Sequence, residues 1–171
     1  QNVVVIVAKA RLPKVDADWT TRYTVLGSGD ILVDNRFAPK PRKKPLPSLA
    51  RLGMQMELVP GLEQIRWFGP GPQETYSDRN DARVGVYSGT VSEQFCHDYA
   101  EPGESGNKVD VRWVALVAGD GTGLLAVGMP HLSVNALHHT TDDLQNAKHP
   151  WELTRRDAVT LNLDLKQMGL G

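Results

Sequence analysis

The chain has 171 residues, 40% of them hydrophobic and 23% charged, with a formal net charge of -1. These values belong to a globular domain and exclude a disordered chain, and a near-neutral balance lacks the basic field that nucleic-acid binding uses. One cysteine, Cys96, excludes an internal disulfide and a multi-cysteine zinc site, and the longest apolar run, Val3 to Ala8, falls far short of the ~18 residues that cross a bilayer, so neither nucleic acid nor membrane is an expected partner.

In chain order, Val3 to Ala10 reads as a strand. Trp19 to Leu26 and Ile31 to Phe37 flank Gly27-Ser28-Gly29-Asp30, the pattern of a glycine-turn hairpin. Pro39-Lys40-Pro41-Arg42-Lys43-Lys44-Pro45-Leu46-Pro47 has the composition of a basic patch or a polyproline ligand. Its four prolines donate nothing to a sheet ladder, and the favoured reading is an extended, solvated connector. Arg51 to Val59 and Gln64 to Phe68 follow as strands. A second hairpin joins Val109 to Ala118 with Leu124 to Val127 across Gly119 to Gly123, and Leu132 to Leu137 is a further strand. Thr140 to Ala147, opened by Thr and followed by Pro150, reads as a short helix. Val159, Leu161, Leu163 and Leu165 alternate with polar residues, which predicts a last strand with one buried face. The class is all-β, an antiparallel sandwich of two packed sheets with one short helix, in a single domain over 1–171.

The stretch from Trp67 to Arg79, WFGPGPQETYSDR, concentrates the chemistry. Its glycines invite a phosphate cradle, but Pro70 and Pro72 remove two of the N-H donors such a loop needs. Glu74 and Asp78 supply two carboxylates, and glycoside cleavage uses such a pair at about 5 Å or about 6.5 to 9.5 Å. In a loop, acidic side chains more often accept from backbone N-H groups or pair with an arginine such as Arg79. His131, His138, His139 and His149 raise a metal site, but His138 and His139 point to opposite faces if they continue a strand. Cys96 and His97 lack an orienting third group. Trp19, Trp67, Trp113 and Trp151 offer either sugar-stacking faces or core.

Gly69, Gly71, Pro72, Gln73, Glu74, Tyr76, Asp78 and Arg79 resemble the Gly-x-Gly-Pro-Gln-Glu-Asn-Tyr-Pro-Asp-Arg signature of the small-chain, or fifth, domain of bacterial family 2 β-galactosidases. Thr75 and Ser77 depart from it, standing where relatives usually carry Asn and Pro. Asp142-Asp143-Leu144, then Lys148 to Leu153 and Leu161 to Asp164, are similar to the segment closing that domain, and Tyr99 to Gly106 resembles its Tyr-x-x-Pro-x-Glu-x-Gly loop. The similarity runs in the right order from Trp19 onward.

This resemblance implies a galactose-mutarotase-like β-supersandwich at the C-terminal end of an enzyme that hydrolyses terminal β-galactosides such as lactose. It places the catalytic glutamates, with magnesium and sodium, in a separate barrel domain, so no catalytic residue, metal ligand or cofactor is expected in this chain. It also places a pocket tryptophan just downstream of the segment matching Met168 to Gly171, and the expectation is a fragment truncated at that end and starting inside the family domain. The expected role is a non-catalytic structural domain, inactive alone, that packs on the catalytic barrel of its parent chain or on a large subunit and meets galactoside through it. Trp67, Gly69, Gly71, Pro72, Gln73, Glu74, Tyr76, Asp78 and Arg79 are expected to form an ordered turn close to the sugar site, Trp67 or Phe68 entering the core and the two glycines adopting angles closed to other residues. The alternative is an autonomous carbohydrate-binding or mutarotase-like module, and a third reading is one half of a two-chain enzyme. Open sheet edges predict self-association, and the expected compartment is bacterial cytoplasm or periplasm.

Overall fold

A computed structural model describes residues 2–41, 43, 45–46 and 48–169. The chain divides into two compact units, residues 1–48 and 49–171. Both are antiparallel β, giving two sheets and one α-helix, the all-β class predicted from sequence.

The first unit is a three-stranded meander of β1 (Val3–Leu12), β2 (Ala17–Leu26) and β3 (Ile31–Pro39). The predicted hairpin forms: Leu26 N donates to Asp30 O at 2.9 Å and Gly29 takes a left-handed φ of 94°. Register stacks Val4, Val25 and Ile31 in one row and Ile6, Tyr23 and Val33 in the next. On the same face Trp19 meets Phe37 at 6.4 Å. Pro39 closes β3, and in the proline-rich connector Arg42, Lys44 and Pro47 lie outside the described residues.

The second unit holds β4 (Arg51–Leu58), β5 (Gln64–Gly71), β6 (Arg83–Thr90), β7 (Lys108–Val117), β8 (Gly123–Leu137) and β9 (Val159–Gln167), in the order β4-β9-β8-β7-β5-β6. The helix α1 (Thr141–Asn146) starts at a capping box: Thr140 Oγ1 accepts from Asp143 N, and an Asp143 carboxylate oxygen accepts from Thr140 N. Arg156 clamps the same carboxylate and holds it well below the usual range.

Two strand predictions need correction. β6 was not expected, because Gly85 and Gly89 break the apolar alternation that Val84 and Val86 begin. Leu124 to Val127 and Leu132 to Leu137 are one strand, β8. Its register leaves Gly128 to His131 between Val127, opposite Trp113, and Leu132, opposite Val111, so an irregularity takes up extra residues without ending the strand.

One face of this sheet carries the core, where Ile65, Trp67, Val114, Leu116, Ala136, Val159 and Leu161 pack together. β9 was predicted to bury one face and buries both: Thr160, Asn162 and Asp164 are also sequestered. They lie in a polar layer. Arg51 Nη2 bonds Glu104 at 3.0 Å, and its Nε lies 2.8 Å from Asp164 but out of line with the oxygen, so that pair is a charge contact. Asn135 donates to Glu104 and Ser105, and Gln55 donates to Asn162. Two carboxylates thus share one guanidinium. Burial raises both, taking Asp164 to about 7 despite Arg51, with Glu104 adding to the rise.

The linkage sign follows. A carboxyl raised in the folded state stabilises fully below its unfolded value, near 3.8 for Asp164, and that stability is lost as pH rises through about 7. We predict that unfolding stability falls by roughly 2 kcal/mol between pH 5.5 and 7.5, and that Asp164→Asn removes this slope. Urea midpoints at the two pH values check it, and equal slopes in both proteins refute it.

Candidate functional site: the motif loop and its groove

Trp67 to Arg79 begins as strand and ends as loop. β5 runs to Gly71, so the ordered turn starts at Pro72, later than the motif's glycines suggested. Neither Gly69 nor Gly71 is left-handed, a correction to the expected reason for glycine. Close packing is the reason: a Cβ on Gly71 would stand 2.8 Å from the Tyr87 ring and 3.0 Å from Trp67, and one on Gly69 3.1 Å from Val111 Cα. Trp67, 2% exposed, is the aromatic that enters the core, its Nε1 donating to Pro70 O at 2.9 Å and its ring meeting Tyr87 at 5.5 Å. Phe68 points to the other face, under the Arg112 guanidinium.

Glu74 is the hub. One carboxylate oxygen accepts from Arg79 Nη2 and the Tyr99 hydroxyl, and the other accepts from Gly106 N at 2.7 Å and the Tyr76 hydroxyl at 3.3 Å. Tyr76, fully buried, and Arg79 exchange backbone hydrogen bonds at 2.9 and 3.0 Å around Ser77 and Asp78. Burial lifts the Tyr76 hydroxyl far above its ordinary range. Asp78 packs against Gly169. Thr75, a departure from the signature that the motif resembles, has its own use: its N donates to Asn107 O, and its Oγ1 accepts from Val109 N. Gly106 is left-handed, φ 73°, and an added Cβ would lie 2.4 Å from Gln94 O.

Lys108, unforeseen from sequence, lies 4% exposed over the Trp67 ring at 5.1 Å and donates to Gly106 O. Burial pushes its ammonium down to about 8, with Glu74 opposing the shift. Local residue patterns carry no sign of this lysine, whereas Tyr99, Glu104 and Gly106 stand in the loop singled out by resemblance.

Gly71, Pro72 and Gln73 line an open groove of about 410 Å³ with Asp81, Arg83 and Tyr87. The remaining sequence candidates disperse. Trp67 alone of the tryptophans joins the core cluster, while Trp151 is exposed and stacks on His149. β8 ends at Leu137, so His138 and His139 do not continue the strand. His97 meets the ring of Phe95, not Cys96. Among the described residues no group of three His, Cys, Asp or Glu side chains could hold a metal ion. Among them too, no helix is long and apolar enough to cross a membrane.

Glu74→Ala strands Gly106 N and two hydroxyls and is expected to cost about 2 kcal/mol, while Arg79→Ala, at a half-exposed side chain, is expected to cost ~0.5 to 1 kcal/mol. Urea denaturation of both variants checks the order, and parental stability in both refutes the bracing role.

The family described as beta galactosidase small chain matches residues 1–171. A β-galactosidase of Priestia megaterium is 32% identical over 171 residues, 99% of this chain and 16% of that protein. β-Galactosidase BgaC of Bifidobacterium adolescentis is 32% identical over 155 residues, 89% of the chain and 15% of the relative, and a Vibrio cholerae β-galactosidase is 38% identical over 127 residues, 74% and 12%. The chain therefore spans about one sixth of the length of such relatives. With the whole chain matched and its signature loop built as a single braced unit, this chain belongs to the beta galactosidase small chain family.

Proposed function

We propose that this chain is the non-catalytic structural domain of a β-galactosidase acting on terminal β-D-galactosides such as lactose, packing on the catalytic barrel and helping to complete its sugar pocket. One observation carries the packing role. Val86, Phe68, Trp113 and Val127 are cross-strand neighbours in a row over β6, β5, β7 and β8, on the face away from the core. Val86 and Val127 are more than half exposed, as are Val84 and Leu125 beside them. A contiguous apolar face of this kind marks a docking surface, and a barrel belonging to a much longer protein is a fitting occupant. The absence of chemistry rests on Glu74, whose oxygens accept from four donors and offer a substrate no free edge.

Purified chain is expected to release no galactose from an aryl β-galactoside. Mixed with, or fused to, the remainder of its parent, it is expected to restore turnover, and Val86→Asp with Val127→Asp is expected to abolish that restoration while leaving urea unfolding of the chain alone unchanged. Steady turnover by the chain alone, or full restoration by the double variant, overturns the reading.

A second reading, a carbohydrate-binding or mutarotase-like module, draws on the groove beside Gly71, Pro72 and Gln73, where Asp81 and Arg83 stand near the apolar ring of Tyr87. Trp67 lies directly behind Tyr87, so a saturable fluorescence change on galactose titration supports this reading and a flat response removes it.

A further inference from the structure

β1 stands at the edge of the first unit's sheet, paired with β2 on one side, and among the described residues no strand lies on its other side. Its register with β2 runs without a shift from Val3 opposite Leu26 to Leu12 opposite Ala17, so the edge is uninterrupted over 10 residues. Val3, Val4, Val5, Ile6 and Val7 are each between 43% and 58% exposed, and successive residues of a strand point to opposite faces, so neither face is covered. An unpaired edge offers a row of N-H and C=O groups to another strand. The run from Val3 to Ala8, rich in β-branched residues and free of charge, proline and glycine, has the composition that pairs most readily.

The other edge strands carry features that oppose such pairing. β3 has Asp34 and Arg36 along its length and ends on Pro39. β4 carries Glu57 and a register shift between Leu52 and Gly53, and β6 contains Gly85 and Gly89. β1 keeps its own charges, Lys9 and Arg11, toward one end, and they select the partner. An in-register parallel copy would set lysine on lysine and arginine on arginine. An antiparallel copy, related by a two-fold axis at Val5, sets Val5 on Val5, Val4 on Ile6 and Val3 on Val7, and carries both cations past the second copy's Val3. Opposite residues of an antiparallel pair share a face. This register therefore joins Val4 and Ile6, with Tyr23, Val25, Ile31 and Val33 beside them, into one apolar face running across both copies.

We propose that β1 is a self-association edge: two copies of this chain pair through residues 3–7, antiparallel about Val5, and their three-stranded sheets become one continuous sheet. The contact is isologous and uses β1 of both copies. The outer edges of the combined sheet are then the two charged β3 strands, which end the assembly at a dimer. The contact concerns the first unit alone and requires neither the exposed face over β5 to β8 nor the groove at Gly71.

The test is sedimentation equilibrium of the 171-residue chain from micromolar to millimolar concentration, with hydrogen exchange of the β1 amides in monomer and dimer. A monomer–dimer equilibrium is expected, in which alternate amides among residues 3–7, those directed away from β2, exchange about tenfold or more slowly in the dimer. Val5→Lys sets like charges opposite each other at the axis and is expected to weaken dimerisation by about tenfold or more, with urea unfolding unchanged. Val3→Lys and Val7→Glu are each expected to weaken it, and the double variant, which places two opposite-charge pairs across the axis, is expected to dimerise about fivefold tighter than either single one. Where Val5→Lys alters unfolding, the gain of the double variant over the singles decides. A monomer throughout the range, a mass that climbs beyond the dimer, outward β1 amides unprotected in the dimer, or a double variant no tighter than the singles overturns the proposal, as does a dimer undiminished by a folded Val5→Lys chain.

Discussion

A single carboxylate organises the signature region. Glu74 draws four donors from three places in the chain: its own loop, Tyr99, and the backbone of Gly106. A buried carboxylate is costly unless its lone pairs are met, and one that is met in full fixes every group that meets it. The surrounding details follow from that requirement. Gly106 must be glycine because its left-handed turn presents an N-H to Glu74 while its Cα lies against Gln94. Thr75 and Asn107 then zip the two loops together through backbone and side-chain bonds. Lys108 closes the arrangement over Trp67, linking the loops to the core.

The same loop segment also roofs a polar layer on the back of the sheet. Glu104 and Ser105, next to Gly106, reach Arg51 and Asn135, and through Arg51 the layer reaches Asp164 on β9. The six-stranded sheet thus buries an apolar face against its core and, over β4, β8 and β9, a polar patch beneath the loops. Such a patch holds register, because each donor accepts few alternative positions, but it carries two acids on one guanidinium and is therefore sensitive to proton uptake.

Where loops do not cover that back face, it changes character. Over β5, β6, β7 and the start of β8 it is apolar and exposed. The proposed packing role draws on that open face. The chain spans about one sixth of the length of the β-galactosidases it matches. The pairing of Glu63 with His138, just past the end of β8, lies outside the bracing around Glu74.

Alternation and glycine turns were enough for the all-β class and both hairpins, a threonine with a following proline for the short helix, and the resemblance of the Trp67 to Arg79 motif for the family. These features are local: a period of two, a turn residue or a cap acts within a few positions of itself. The packing of Trp67 was legible as one of two choices, and tertiary structure decided between it and Phe68 by strand parity. Other features rested on partners distant in sequence. The need for glycine at 71 comes from the rings of Tyr87 and Trp67, and the strand β6 is held by β5 in spite of its own glycines. The buried second face of β9, the sequestered Lys108 and the pairing of Glu63 with His138 across 75 positions depend on which loop lies over which strand. No periodicity encodes that placement, since it is settled only when the whole sheet has formed and its buried polar groups must find one another.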